Sequence, residues 1–102
     1  MWLLSINKSD KPEKRFKATF CKCEKKNACK GSNHKVVHFG QKGGKTFIDG
    51  RTEKEKENYI ARHKVNEDFN NPTTAGALSR FILWNKKTLS ASIADFKKRF
   101  GL

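Results

Sequence analysis

The sequence is short of cysteine, of acidic side chains and of long apolar runs. Its 3 cysteines all fall within residues 21–29, and an odd, clustered set is a poor disulfide framework that suits a reducing compartment. No apolar run approaches the ~20 residues of a membrane span. The apolar start of the chain ends at Asn7, too early for a signal peptide. The sequence therefore predicts neither a signal peptide nor a transmembrane segment.

The shortage of acidic residues makes charge the strongest signal in the composition. Lysine and arginine number 23 against 10 aspartates and glutamates, a net charge of +13. Residues 1–51 carry most of this excess. Such a field attracts polyanions: nucleic acid, an anionic membrane face or an acidic protein. The alternative is a basic surface that is merely solvated.

Residue patterning predicts an α+β fold, with a small three-stranded antiparallel sheet packed against two or three helices. Alternating residues 2–6 and 15–21 and the β-branched segment 35–39 predict the strands. In the first strand Trp2, Leu4 and Ile6 are expected on one face and Leu3 and Ser5 on the other. In the second strand Phe16, Ala18 and Phe20 are expected to face inward. A chain of 102 residues suffices for one domain, 1–102, with a β-rich half 1–48, a mobile loop 22–35 and a helical half 52–101.

The stretch 70–84 is expected to form the central helix, with Asn71 as the N-cap and Pro72 at the first helical position. Leu83 and Trp84 extend its apolar surface away from the main stripe, which predicts that they contact a partner.

Two further helices flank this central one. Thr52 and Glu55 match a capping box at the start of the first. Thr88 should cap the last helix, and Gly101 should end it.

The order of motifs from His38-Phe39-Gly40 onward resembles a family of small basic proteins of unassigned function from nucleocytoplasmic large DNA viruses. The resemblance covers residues 38–102, and its most specific pieces are Thr-Ala-Gly-x-x-Ser-Arg (74–80) and Leu-Trp-Asn-Lys (83–86). It implies a viral context, with the protein in the virion or in the cytoplasm or nucleus of the infected host cell. It implies no particular chemistry.

Gly44-Lys45-Thr46 has the ending of a phosphate-binding P-loop, but Phe39 stands where the first glycine is required. Nucleotide hydrolysis is therefore not predicted. The segment 40–45 either cradles a backbone phosphate or is an ordinary flexible turn.

Four residues within a short segment could hold zinc. They are Cys21, Cys23, Cys29 and His34. Their spacing matches no common zinc finger, and the alternative is three loop thiols, so no metal or other cofactor is expected. No nucleophile is evident near His38 or His63, so the chain is predicted not to be an enzyme and to have no small-molecule substrate.

The candidate binding residues are basic side chains on the outer strand face and in the adjoining loops. They are Arg15, Lys17, Lys22, Lys25, Lys26, Lys35, Lys42 and Lys45. Lysines outnumber arginines, which favours phosphate contacts over base reading. The leading hypothesis is a basic viral protein that binds nucleic acid, DNA in preference to RNA, in genome packaging or condensation. The rival hypothesis is a minor capsid or scaffold component that meets capsid proteins or an anionic membrane face.

Overall fold

The computed structural model describes residues 1–25, 30 and 33–102. Three strands, β1 (Trp2–Lys8), β2 (Lys14–Cys21) and β3 (His34–Gln41), form an antiparallel sheet in the order β1-β2-β3. The helical elements are a 3-10 turn (Phe47–Asp49), α1 (Glu53–His63), α2 (Ala75–Leu78) with a π-helical continuation (Ser79–Leu83), and α3 (Leu89–Phe100). The predicted α+β fold is confirmed. The assignment of residues 1–102 to one domain stays a prediction.

One face of the sheet carries the core, and the helices of the second half cover it. Ala18 and Phe20 of β2 and Phe39 of β3 are fully buried against α2, the π-helical segment and α3. Phe16 packs at the margin of the same cluster, so the predicted inward face of β2 is confirmed. The opposite face is open to solvent, as the 48% exposure of Val36 shows.

The predicted alternation of β1 is wrong because the strand contains a bulge. Its pairing shifts from Leu3 opposite Phe20 to Ser5 opposite Thr19. The extra residue, Leu4, reverses the alternation, since a bulge places two residues opposite one. Leu3, at 2% exposure, therefore shares the core face with Ile6, although the prediction placed these two residues on opposite faces.

The predicted helix ends at Thr52, Thr88 and Gly101 are confirmed. The Thr52 hydroxyl accepts from the Glu55 amide, and the Glu55 carboxylate accepts from the Thr52 amide, which completes the capping box. Thr88 accepts from the Ala91 amide at 3.2 Å. Gly101 ends α3 at φ 67°, in the left-handed region that glycine adopts without strain.

The central helix begins later than predicted. The Asn71 side chain accepts from the amide and hydroxyl of Thr73, which makes a turn instead of a helix cap. Thr74 is the N-cap and accepts from the Ala77 amide at 3.2 Å. After Leu78 the helix widens, and the Trp84 amide donates to the Ser79 carbonyl five residues earlier, at 3.1 Å. Such π-helical turns are rare and often lie at functional sites.

None of the helices in the described part of the chain is long and apolar enough to cross a membrane.

Candidate nucleic-acid interface

The solvent-facing side of the sheet is less basic than the sequence predicted. Lys17 lies on this face, opposite Asn7 of β1 and His38 of β3. Lys35 pairs with Phe20 and so lies on the helix-covered side, where its Nζ donates to Thr73 Oγ1 at 3.3 Å. The predicted strand residues therefore do not form one patch.

Arg15 is already paired within the molecule. Its two guanidinium nitrogens meet the two carboxylate oxygens of Asp49 at 2.5 and 2.7 Å. The same guanidinium lies 3.4 Å from Thr46 Oγ1, and Asp49 also accepts from the Thr46 amide. A bidentate pair of this kind fixes the 3-10 turn to β2 and leaves Arg15 less able to contact phosphate.

The Arg15–Asp49 pair should make part of the stability depend on pH. Hydrogen bonding from Arg15 is the largest cause that lowers the pKa of Asp49 from 3.8 to about 2. Because the pKa of Asp49 is lower in the folded than in the unfolded protein, its ionised form stabilises the fold. This stabilisation is complete at pH values above the pKa of the unfolded state, and it is lost as the pH falls through the pKa of the folded state. We expect Asp49→Asn to cost about 1 kcal/mol at pH 7, less than the whole shift implies because solvent screens a partly exposed pair. Near pH 2 the variant and the parent should converge.

Urea denaturation at both pH values measures this difference. Glu57→Gln is the matched control, since Glu57 is exposed and no cationic group lies within 4.0 Å of it among the described residues. An Asp49→Asn cost that is the same at pH 7 and pH 2 would contradict the assignment.

The remaining predicted lysines lie at opposite ends of the sheet. Lys22 and Lys25 follow β2 at the end where Cys21 pairs with His34, whereas Lys42 and Lys45 follow β3 at the other end. The seven residue steps from His34 to Gln41 correspond to about 23 Å at the usual rise of a strand. Lys26 lies outside the described residues.

Two further lysines, which the sequence did not single out, lie near Lys42 at this end of the sheet. Lys8 and Lys14 line a cavity of about 340 Å³ together with Lys42 and Arg15. The β1–β2 turn brings Lys8 and Lys14 together, and β2–β3 pairing sets Lys14 opposite Gln41. Only the pairing register of β1 and β2 identifies these two lysines as neighbours, because it places the end of β1 and the start of β2 on either side of one turn.

Two larger cavities lie nearby and share lining residues, the first of them with this cavity and the second with the first. Lys14 also lines a cavity of about 380 Å³, with Lys45 and Arg62 on its wall. Lys45 and Arg62 in turn line a third cavity of about 600 Å³. The three cavities together form a surface that we call the basic groove, and it is lined by four lysines, the groove lysines. They are Lys8, Lys14, Lys42 and Lys45.

Three stacked rings form an aromatic wall of the basic groove. The rings of Trp84 and Tyr59 are nearly parallel, at 8°, with centroids 4.6 Å apart. His63 stacks on Tyr59 at 4.1 Å. Burial raises the pKa of the Tyr59 hydroxyl.

The prediction that Leu83 and Trp84 form an exposed apolar patch needs correction. Leu83 is 1% exposed, because the π-helical turn directs it into the core beside β3. Trp84 is half-buried, and the Arg80 guanidinium donates to its backbone carbonyl at 2.8 Å. Of the pair, only Trp84 is available to a ligand.

The glycine-rich segment 40–45 is a structured turn. The amide of Lys42 donates to Glu13, and the amide of Gly44 donates to Gln41. These two amides are therefore not directed at a phosphate, and the side chains of Lys42 and Lys45 provide the positive charge of this turn.

The candidate zinc residues do not form a described metal site. Cys21 is fully buried and disulfide-bonded, contrary to the expectation of loop thiols, and a sulfur in a disulfide does not ligate zinc as a thiolate. Cys29 lies outside the described residues. Within ranges 1–25, 30 and 33–102, no group of histidine, cysteine and carboxylate side chains is arranged for a metal ion.

A serine that the sequence did not reveal lies beside His38. Ser9 Oγ is 2.7 Å from His38 Nδ1, and the Asp10 carboxylate lies 4.0 Å from that same nitrogen. In a Ser-His-Asp triad the acid holds the other ring nitrogen, so this arrangement lacks the order of a hydrolytic relay. The Lys11 amide also donates to Ser9 Oγ at 3.0 Å, which indicates a structural role in the β1–β2 turn.

Comparison with known proteins assigns the chain to a family. A family of unknown function, DUF5754, matches residues 4–63, which is more than half of the chain. The chain belongs to this family. The DUF5754 match includes most of β1 and all of β2, which the resemblance over residues 38–102 left out.

A viral protein is also similar to this chain. Uncharacterized protein L851 of Acanthamoeba polyphaga mimivirus is 32% identical over 87 residues, covering 79% of this chain and 80% of the viral protein. The predicted membership of a viral family of unknown function is confirmed at that level. No solved structure matches the chain.

Proposed function

We propose that this DUF5754 protein is a non-enzymatic viral protein that binds nucleic acid through its phosphates, with little sequence preference. The observation that carries the proposal is the unpaired charge of the basic groove. Among the described residues, no carboxylate lies within 4.0 Å of a groove lysine, although four other lysine and arginine side chains have such partners. Cations without internal partners are available to an external anion.

The chemistry of the groove favours phosphates over base edges. Its four lysines are point charges on flexible stems, which suit contacts to a phosphate of any sequence. Three arginines, which have the planar fork needed to read guanine, line its cavities. Arg15 and Arg51 are bound to Asp49 and Glu55, so Arg62 is the one with no carboxylate within 4.0 Å among the described residues, and the lysines outnumber it. Binding with little sequence preference supports a role in genome packaging or condensation, and we propose DNA as the preferred partner.

Fluorescence anisotropy of labelled oligonucleotides over a salt series tests the proposal. We expect the logarithm of the association constant to fall linearly with the logarithm of salt concentration, with a slope of about −4, because four phosphate contacts release about that many counterions. Scrambled sequences should bind within about twofold of one another, since phosphate contacts carry no sequence information. Binding that disappears by physiological salt, or that depends strongly on sequence, would contradict the proposal.

The capsid or scaffold alternative required an exposed apolar surface on the central helix. The large apolar side chains that are exposed among the described residues are Met1, Val36 and Val65, which belong to the N-terminus, β3 and the segment after α1. These positions are separate in the fold, so no specific observation favours the alternative.

A further inference from the structure

The basic groove contains both cationic side chains and an aromatic ring, that of Trp84, which lines its two larger cavities. Trp84, Lys45 and Arg62 each line the cavity of about 380 Å³ and the adjoining cavity of about 600 Å³. We propose that the groove is a site for single-stranded nucleic acid, in which a base stacks on Trp84 while Lys45 and Arg62 hold the flanking phosphates. The inference rests on the proposed function and adds to it a preference for unpaired strands.

Trp84 is held as a rigid platform. Tyr59 supports one face of the indole, with the rings at 8° to each other, and Tyr59 itself is only 9% exposed. The Trp84 amide donates to Ser79, and its carbonyl accepts from Arg80. These bonds fix the backbone of Trp84, and Tyr59 restricts its ring. A base that stacks on the indole therefore costs little further side-chain entropy, so more of the stacking energy appears as affinity.

The charges beside Trp84 suit a sugar-phosphate chain. Lys45 and Arg62 are exposed, and neither has a carboxylate within 4.0 Å in the part of the chain that the structure describes. The acids that line the two cavities are Glu67 and Glu55. Glu55 is bound to Arg51 and Thr52, and Glu67 lies 3.9 Å from His63. The net charge offered to a ligand is therefore positive.

A preference for single-stranded over duplex nucleic acid would distinguish this site from a purely electrostatic surface. The bases of a duplex are stacked inside, so a duplex can meet Lys45 and Arg62 but cannot place a base on the indole. An unpaired strand can use both, and stacking on an aromatic side chain is sequence-tolerant because every base has a π-face. The site therefore fits the low sequence preference of the proposed function.

The test uses the two tryptophans of the chain, Trp2 and Trp84. The Trp2→Phe variant leaves Trp84 as the only indole and does not alter the groove. We expect a short oligothymidylate to quench its emission on binding, and an abasic oligonucleotide of equal length to bind more weakly without quenching. The matched control is Trp84→Phe, in which the emission of the remaining Trp2 should not change, because Trp2 lines none of the three groove cavities.

Affinity gives a second readout. Trp84→Leu should weaken binding of oligothymidylate by about 5- to 150-fold, the range for loss of one stacked base. Binding of a duplex of the same length should change by less than about twofold. If Trp84→Leu fails to fold, the quenching result on the Trp2→Phe protein decides alone. Oligouridylate in parallel shows whether the unpaired strand is DNA or RNA.

The outcomes distinguish this inference from the proposed function. Salt-dependent binding of single strands and duplexes without Trp84 quenching would overturn the single-strand site and leave phosphate binding standing. Equal affinity for oligothymidylate and its abasic counterpart would do the same. Absence of binding by every oligonucleotide would overturn both.

Discussion

Removing the charge of the four groove lysines is expected to weaken nucleic-acid binding by about 100-fold or more at physiological salt. Each phosphate contact adds about 0.9 to the log–log salt slope, so the loss of four contacts removes most of the electrostatic affinity. The variant carries glutamine at Lys8, Lys14, Lys42 and Lys45. Glutamine keeps most of the side-chain length and removes only the charge, so the salt slope should flatten by three to four, on the order of one per lysine.

A control variant at the opposite end of the sheet separates the groove from the general field of the protein. It carries glutamine at Lys22, Lys25, Lys30 and Lys35, which lowers the net charge by the same amount. We expect a loss of less than about tenfold, because these lysines act on the ligand through the screened long-range field. Anisotropy measures both variants, and circular dichroism checks their folding. Equal losses would show that the basic groove is not the site.

Truncating Phe20 to alanine is expected to be among the most destabilising single changes in the chain. Phe20 is fully buried on the central strand, and its ring packs beneath the helical layer. Phenylalanine-to-alanine changes in such positions cost about 3–5 kcal/mol, through lost transfer energy and the cavity left behind. Since domains of this size are stable by about 5–15 kcal/mol, the melting temperature should fall by roughly 15 °C or more.

Val36→Ala is the matched control for this change. Val36 lies on the neighbouring strand but on the solvent-facing side, with 48% exposure. Its truncation should change the free energy of unfolding by no more than about 0.5 kcal/mol. Urea denaturation of both variants gives the comparison. A similar cost for the two would mean that the helices do not cover the face to which Phe20 belongs.

The parts of the fold that local chemistry determines were predictable from sequence. Thr52 and Glu55 satisfy each other's amides within one turn, and Gly101 is suited to the left-handed end of α3, so neither depends on the rest of the chain. The inward face of β2 followed from alternation alone. The bulge after Leu3 was not predictable, because a run of apolar residues hides which one is extra.

The basic groove was only half predictable, because its residues meet through tertiary structure. Lys42 and Lys45 stood out by charge, but Lys14 joins them only through the register of β2 and β3. Arg15 is less available to a ligand because it is paired with Asp49, and these two residues are 34 positions apart in the chain. Trp84 was singled out as apolar surface, whereas its stacking on Tyr59 depends on how α1 packs beside the central helix.

The π-helical turn makes the position of Trp84 depend on the length of the chain before it. Such a turn contains one residue more than an α-helical turn, so in a sequence alignment it appears as a single insertion. Each residue of a helix rotates the next by about 100°, and deletion of one residue between 79 and 83 would swing Trp84 by about a quarter turn, away from Tyr59. A relative that keeps the tryptophan but lacks the insertion would thus have the same residue without the same surface. Residues 79–84 lie outside the part of the chain that the family matches, so the spacing from Ser79 to Trp84, more than the tryptophan itself, is the feature by which to compare those relatives that extend this far.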